Sequence, residues 1–421
     1  MKKNVYLFCL TLLFTGCYYD SSQTITYWQN EPVFMSATEF RNSVKISNDI
    51  HELQSCGKIC FYNGYIYISD PEKGIHIINN SNPKHPEITG YIELLGNHDL
   101  AIRNQMLYAD AFVDLVWFDI SSPSQPTLKG RLENAFPDAL PVIDNEYGCG
   151  GYYNEDLREK GIITGWELKE HTETYVTRNS LWGNIENEDG AMMNNSGSGS
   201  MSTGVNGSMS RFTLYDKYLY VVLNYQMCMI DLSETKPVNK GGVYVGNVET
   251  IFNYKDNMFL GTPTGMSIYS VKDPLKPERC STIWHVLGCD PVVVDNDLAY
   301  VTVHSGNFCG QNNDELFIVD VKDVRQPQQL VSYTMTNPKG LGIDNGHLFL
   351  CDDGLKIFKI DEPQTLVANQ ITHKKGMDGF DLIPYENVLM MIADDGLYQY
   401  DYSDFNNIRE LSVIPIKKTK N

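Results

Sequence analysis

Short apolar runs closed off by Asn, Asp or Gly recur along most of the chain, and such runs read as antiparallel strands joined by tight turns. One run keeps the same form seven times: GIHIIN at 74–79, DLVWFD at 114–119, QMCMID at 226–231, GMSIYS at 265–270, ELFIVD at 315–320, GLKIFK at 354–359 and GLYQYD at 396–401. Apart from one wide gap between 119 and 231, successive copies lie about 40 residues apart, the period of a repeat architecture. A second apolar run precedes each copy, as in YIYISD from Tyr65 and LAYVTV from Leu298, and a turn such as Asn63-Gly64 or Asp344-Asn345-Gly346 precedes that. A polar segment, with proline after every copy but the last, follows, and then a fourth strand, as in EITGYIEL from Glu87. Asp119, Asp231, Asp320 and Asp401 end the repeated run, where a carboxylate accepts the amide hydrogens of the turn it begins. No helix of substantial length is expected.

Four strands per unit and seven units predict an all-β fold, a seven-bladed β-propeller of four-stranded antiparallel blades. The units resemble LVIVD repeats of bacterial propeller lipoproteins, and Leu316-Phe317-Ile318-Val319-Asp320 departs from that motif at one position. The resemblance spans about residues 55–133 and 210–416, and implies the fold while saying almost nothing about activity. The propeller is expected over 51–416. Each unit supplies its own fourth strand, ending at Glu410 to Ile416, although Ser43 to Ser47 could join an edge blade and shift the blade assignment. An insertion occupies 134–209. Within it, 161–176 is strand-like and could extend a hairpin, whereas the Gly/Ser/Asn-rich 194–208 has the composition of a flexible linker.

Charge and leader sharpen the setting. A net charge of −20 repels phosphate backbones, so no nucleic-acid partner is expected, and it also argues against electrostatic adhesion to an anionic membrane. Residues 1–16 form a basic start, an apolar stretch too short to span a bilayer, and small residues, the form of a signal peptide. Phe14-Thr15-Gly16-Cys17 resembles the lipobox of bacterial lipoproteins, although Leu is more usual at its first position. The resemblance implies cleavage before Cys17 and lipidation of that residue, with 17–50 as an N-terminal tether and possible closing strand. The expected location is the bacterial cell envelope, lipid-anchored at the outer membrane, with the lipid as the membrane contact. The remaining cysteines are scattered, unlike a zinc ribbon or a stapled small domain, and most read as small buried hydrophobes. Cys289 and Cys309, flanking one hairpin, are the favoured pair if a disulfide forms.

In a propeller the loops entering the innermost strand and those between the second and third strands share one face. That face should gather Asp70, Glu72, His98, Asp99, Asp110, Asp114, Asp290, His304, Asp314, Asp352, Asp353, Asp378, Asp394 and Asp395. The ligand-binding candidates are His98, Asp99, Asp290, His304 and Asp378, with His285 and His373 weaker. Carboxylates converging on a channel can hold Ca²⁺ or Mg²⁺, and His nitrogen suits a transition metal, but repetition spreads these acids around a ring and Asp-Gly pairs are favoured turn residues. No metal, no cofactor and no catalytic residue is therefore assigned. HExxH, GxSxG, Walker and calcium-hand motifs are all missing from the sequence. Trp117, Trp166, Trp182 and Trp284 could stack on sugars, though blade packing is the commoner use of Trp. The leading expectation is a binding or scaffold lipoprotein for an envelope protein or glycan. The rival is a hydrolase or lyase acting on a polysaccharide or phosphoester at the acidic channel mouth, and envelope spacing is a third option.

Overall fold

The computed structural model describes residues 22–48, 51–55, 57–143, 147–149, 159–176, 204–284, 291–304 and 314–417. Seven four-stranded antiparallel blades form a β-propeller, each from one stretch of chain. Blade 1 runs from its innermost strand Ile59–Tyr62 through Tyr65–Asp70 and Gly74–Asn79 to Glu87–Glu93. The innermost strands of blades 2 to 7 are Leu100–Arg103, Phe212–Tyr215, Thr250–Tyr254, Val292–Asp295, Pro338–Asp344 and Gly379–Tyr385.

The repeated apolar run is the third strand of every blade, and with the second strand it is buried on both sides because each blade face packs against a neighbour. Ile59, Ile66, Ile68 and Ile78 of blade 1 thus share a core with Ile383, Met390, Ile392 and Leu397 of blade 7 and close the ring. Full burial of one such aliphatic side chain contributes about 1.5–3 kcal/mol. The turn aspartates behave as expected: Oδ1 of Asp119, Asp231, Asp320 and Asp401 each accepts the amide two residues on, at 2.9 Å. The proline-bearing turns tie blade to blade, with Tyr220 donating to the Pro274 carbonyl at 2.7 Å and Tyr333 to that of Pro363 at 2.6 Å.

Three features differ from the sequence reading. Lys45–Ser47 does join an edge, but as an added strand outside Glu87–Glu93, so blade 7 keeps Arg409–Pro415 and no circular shift follows. Strand Ile162–Val176 pairs with Ser22–Met35, part of the expected tether, rather than extending a hairpin within the insertion. Between that ribbon and blade 1 lies one short helix, Ala37–Asn42, capped by Ser36 and anchored by buried Phe40. Its apolar pattern rests on Phe40 alone, too little to register as periodicity.

Candidate functional site

The residues entering the innermost strands of successive blades meet at the mouth of the central channel, among them Lys58 (blade 1), Asp99 (blade 2), Arg211 (blade 3) and Glu249 (blade 4). The channel itself is crossed by the end of the insertion. Val205–Asn206 adds an inner strand to blade 1, pairing with Phe61 and Cys60. Gly204 donates to the Ile102 carbonyl of blade 2 at 2.7 Å, and Ile251 of blade 4 donates to the Ser210 carbonyl at 2.9 Å. Ser208 Oγ donates to Asp381 at 3.2 Å and accepts the Leu341 amide at 2.9 Å, reaching blades 7 and 6. Gly207 is required here because a Cβ would stand 2.1 Å from Asp381 Oδ2. The expectation of a flexible linker over 194–208 therefore fails for 204–208: Gly and Ser suit this segment because small residues let the backbone pass through a narrow channel and offer hydroxyls to buried acids. Residues 194–203 lie outside the described residues.

Asp99 is fully buried and engaged, accepting from Ser210 Oγ at 3.1 Å, from the Leu100 amide at 2.7 Å and from the Arg211 amide. Burial pushes its carboxyl up to about 6 against the opposing pull of Lys58. Asp381, equally buried, is raised to about 6 by the same desolvation, again offset by Lys58. Lys58, whose ammonium lies 5.3 Å over the Phe380 ring, is in turn depressed by burial. Neither carboxylate is left for a substrate or cation.

The adjacent His98 turns away from Asp99. Its Nε2 is 3.5 Å from Glu72 Oε1 and its Nδ1 is 3.7 Å from Asp110 Oδ2. Burial raises Glu72, but the neighbouring His98 and the hydrogen bond from the Val142 amide outweigh it and hold the carboxyl below its ordinary value. Across the ring, His304 Nδ1 stands 3.4 Å from Asp314, and burial, helped by Lys339, lowers its pKa. Asp378 is half-exposed and paired with Lys339 at 2.7 Å. His98 thus sits with Glu72 and Asp110, whereas His304 and Asp378 lie within electrostatic reach of one another around Lys339, with Asp314 also beside His304. Asp290, His285 and Trp182 lie outside the described residues, as do Cys17 with its leader and the Cys289–Cys309 pair. Among the described residues no group of three or more His, Cys, Asp or Glu is placed to hold a metal ion.

Much of the acidic ring has a structural explanation. The aspartate ending a blade's second strand fastens the loop that enters the same blade. Asp110 Oδ1 accepts the amides of His98 and Asp99 at 2.7 and 2.9 Å, Asp352 Oδ1 those of Thr336 and Asn337 at 2.9 and 2.7 Å, and Asp70 the Ser55 hydroxyl. Asp114 instead receives Arg41 and Arg131, at 3.1 and 2.9 Å.

Outside the channel, a cavity of about 710 Å³ opens at the rim of blade 1. His76, 1 % exposed, lines it with neither ring nitrogen in a hydrogen bond. Its ring lies 4.7 Å from that of Tyr91, on whose other contact His51 stacks at 4.5 Å. Burial pushes His76 down to about 4, so it is neutral at pH 7 and offers one donor and one acceptor. Asp70, also buried, accepts from Tyr91 at 3.2 Å and lies 3.9 Å from His76. Sequence reasoning passed over His76 because a lone His inside an apolar strand carries no signal, and over Lys58 and Asp381 because nothing local marks them as partners. The tryptophans divide: Trp117 is buried in its blade, Trp166 donates to the Pro141 carbonyl at 2.9 Å, and Trp284 is exposed.

Comparison with known proteins agrees with this architecture. The chain is similar in structure to a periplasmic gluconolactonase of Pseudomonas aeruginosa, with 8 % identity over 86 % of this chain and 98 % of that one and a TM-score of 0.50. It is also similar to the computationally designed protein Ika8 (8 % identity, 87 % and 91 % covered, TM-score 0.47) and to a Lactobacillus plantarum protein (8 %, 75 % and 84 %, 0.47). At 8 % identity the likeness to the gluconolactonase bears on fold alone, and the other two likenesses add nothing to it. No curated protein sequence matches. Residues 55–92 and 98–134, which form blades 1 and 2 of this seven-bladed β-propeller, match the LVIVD repeat.

Proposed function

We propose that this protein is an extracytoplasmic lipoprotein, anchored through Cys17 to the bacterial cell envelope at the outer membrane, that binds or scaffolds an envelope protein or glycan. One observation carries the binding part of this reading: the channel is crossed by the protein's own residues 204–211, which take up Asp99 and Asp381, while open concavities lie on the rim. Both acids are fully buried in the channel. A hydrolase or lyase at the channel mouth would have to work without them, which weighs against that rival. The anchor rests on the sequence alone, on Gly16-Cys17 at the end of the apolar leader.

Two measurements test the reading. Cells fed a clickable fatty acid should label the wild type, and Cys17→Ser should abolish the label and release the protein to the soluble fraction; a labelled, membrane-bound Cys17→Ser protein would refute the anchor. Purified protein should leave chromogenic lactones, glycosides and phosphoesters unturned. Turnover lost on His304→Ala would instead establish the enzyme reading.

A further inference from the structure

A groove of about 410 Å³ runs between blades 3 and 4 on the channel-mouth face. Its walls are aromatic and stand in water. Tyr244, at the end of the outer strand Val238–Tyr244, is 73 % exposed, and Trp284, at the end of Glu278–Trp284, is 71 % exposed. Tyr225, outside the groove lining, stacks beside Tyr244 at 11° with ring centroids 6.4 Å apart. Side chains of this size are normally buried, and a concave cluster of them on the surface marks a binding site.

The polar lining is unusual for this chain. Among the described residues that line it the groove has no carboxylate side chain, although the protein's net charge is −20. The 710 Å³ cavity of blade 1, by contrast, carries Glu52, Asp70 and Glu93, and a cavity of about 490 Å³ formed by blades 4 and 5 carries Asp256, Asp273, Glu278 and Asp297. Among the described residues the one charged side chain lining the groove is Arg279, exposed and in no ion pair. Hydroxyls supply the rest: Ser267 and Thr282 face each other across the strands at 3.0 Å, and Thr264 stands at the groove's edge.

Flat rings, hydroxyls and one guanidinium in a cleft of this size fit a particular ligand chemistry. A pyranose has an apolar C–H face for an aromatic ring and a hydroxyl rim for Ser, Thr and Asn, and a carboxylate on it matches the fork of Arg279. A protein docking surface also favours Trp, Tyr and Arg, but around a desolvated apolar centre. Here the floor is hydroxylated. We propose that the groove binds a carboxylate-bearing oligosaccharide, with sugar faces on Trp284 and Tyr244 and the carboxylate on Arg279. This inference deepens the binding reading above by choosing glycan over protein, and rests on it.

The test uses detergent-solubilised full-length protein and calorimetry with tetragalacturonic acid, with cellotetraose as the neutral control. The acidic oligomer should bind and weaken with added salt, and Trp284→Ala and Tyr244→Ala should each reduce affinity about tenfold or more, with melting temperatures unchanged as a fold control. Arg279→Gln should erase the preference for the acidic over the neutral oligomer. Absence of binding at millimolar uronate, equal affinity for cellotetraose, or unchanged affinity in Trp284→Ala would overturn the proposal. Retention on isolated envelopes separates the two levels: retention that survives Trp284→Ala overturns the groove while leaving the scaffold reading intact, whereas a wild type that binds uronate but is not retained overturns the scaffold reading alone. Trp284-dependent capture of an envelope protein with no saccharide bound would assign the groove to protein instead.

Discussion

The central channel and the groove between blades 3 and 4 open on the same face of one repeat structure, yet their polar groups have opposite fates. In the channel, buried acids are met by the protein itself, by Lys58, Ser208, Ser210 and backbone amides. In the groove, Trp284, Tyr244 and Arg279 stand in water, and among the described residues none of them is held by a hydrogen bond or ion pair. Number of charges is thus a poor guide to a binding site; what matters is whether the chain has already used them. A propeller channel rich in carboxylates is closed to ligand chemistry once a segment of the same chain threads it.

The contrast can be broken most forcefully at the threading segment. Deleting residues 204–208 and bridging the ends should cost about 3–5 kcal/mol, because it strips a buried carboxylate of its donors. Chemical denaturation would measure this, and an unchanged midpoint would mean that the segment adds nothing to the fold.

Next comes Lys58→Met, which leaves Asp99 and Asp381 without their nearby cation. The expected loss is about 2–3 kcal/mol at pH 7, shrinking as pH falls through about 6, where both carboxyls take up protons. A loss independent of pH would show that Lys58 acts only through packing on Phe380.

A smaller effect concerns the wild type's own pH dependence. A carboxyl raised in the fold from 3.8 to about 6 binds more protons folded than unfolded across that interval, so its contribution to stability falls as pH rises through it. Asp381→Asn removes this contribution, on the order of 2 kcal/mol. Its melting temperature should therefore decline less than that of the wild type between pH 4 and pH 7; parallel curves would contradict the raised value.

The least effect is expected at the groove. Trp284→Ala or Tyr244→Ala should change stability by no more than about 0.5 kcal/mol, as surface positions do. Trp117→Ala, by contrast, empties a site so close-packed that a Cβ on Gly130 would stand 2.4 Å from the ring, and should cost about 3–5 kcal/mol. Equal losses at Trp117 and Trp284 would erase the distinction between a packed and a presented tryptophan.

Sequence reasoning reached the blades and their turn aspartates because both are local. A strand's apolar run and the Asp that accepts the amide two residues later are written within a few positions of each other, as in Asp401 and Ser403. It also placed His98 and Asp99 on the channel-mouth face. It could not separate their roles, because adjacent side chains of an extended segment point opposite ways and only the surrounding blades decide which one meets Glu72 and which meets Ser210.

The repeat period, the strand pattern and the turn chemistry were therefore determined by the sequence alone, since each follows from steric and hydrogen-bonding preferences of neighbouring residues. The tertiary structure alone decided that residues 204–208 fill the channel, that Asp99 and Asp381 share Lys58, and that Tyr244 and Trp284 gather into one groove. Ring closure brings residues as far apart as Ser208 and Asp381 into contact, and composition holds no record of such a pairing: a Gly/Ser run has the same letters whether it stays in water or is drawn, as here, into a narrow channel whose buried carboxylates need donors.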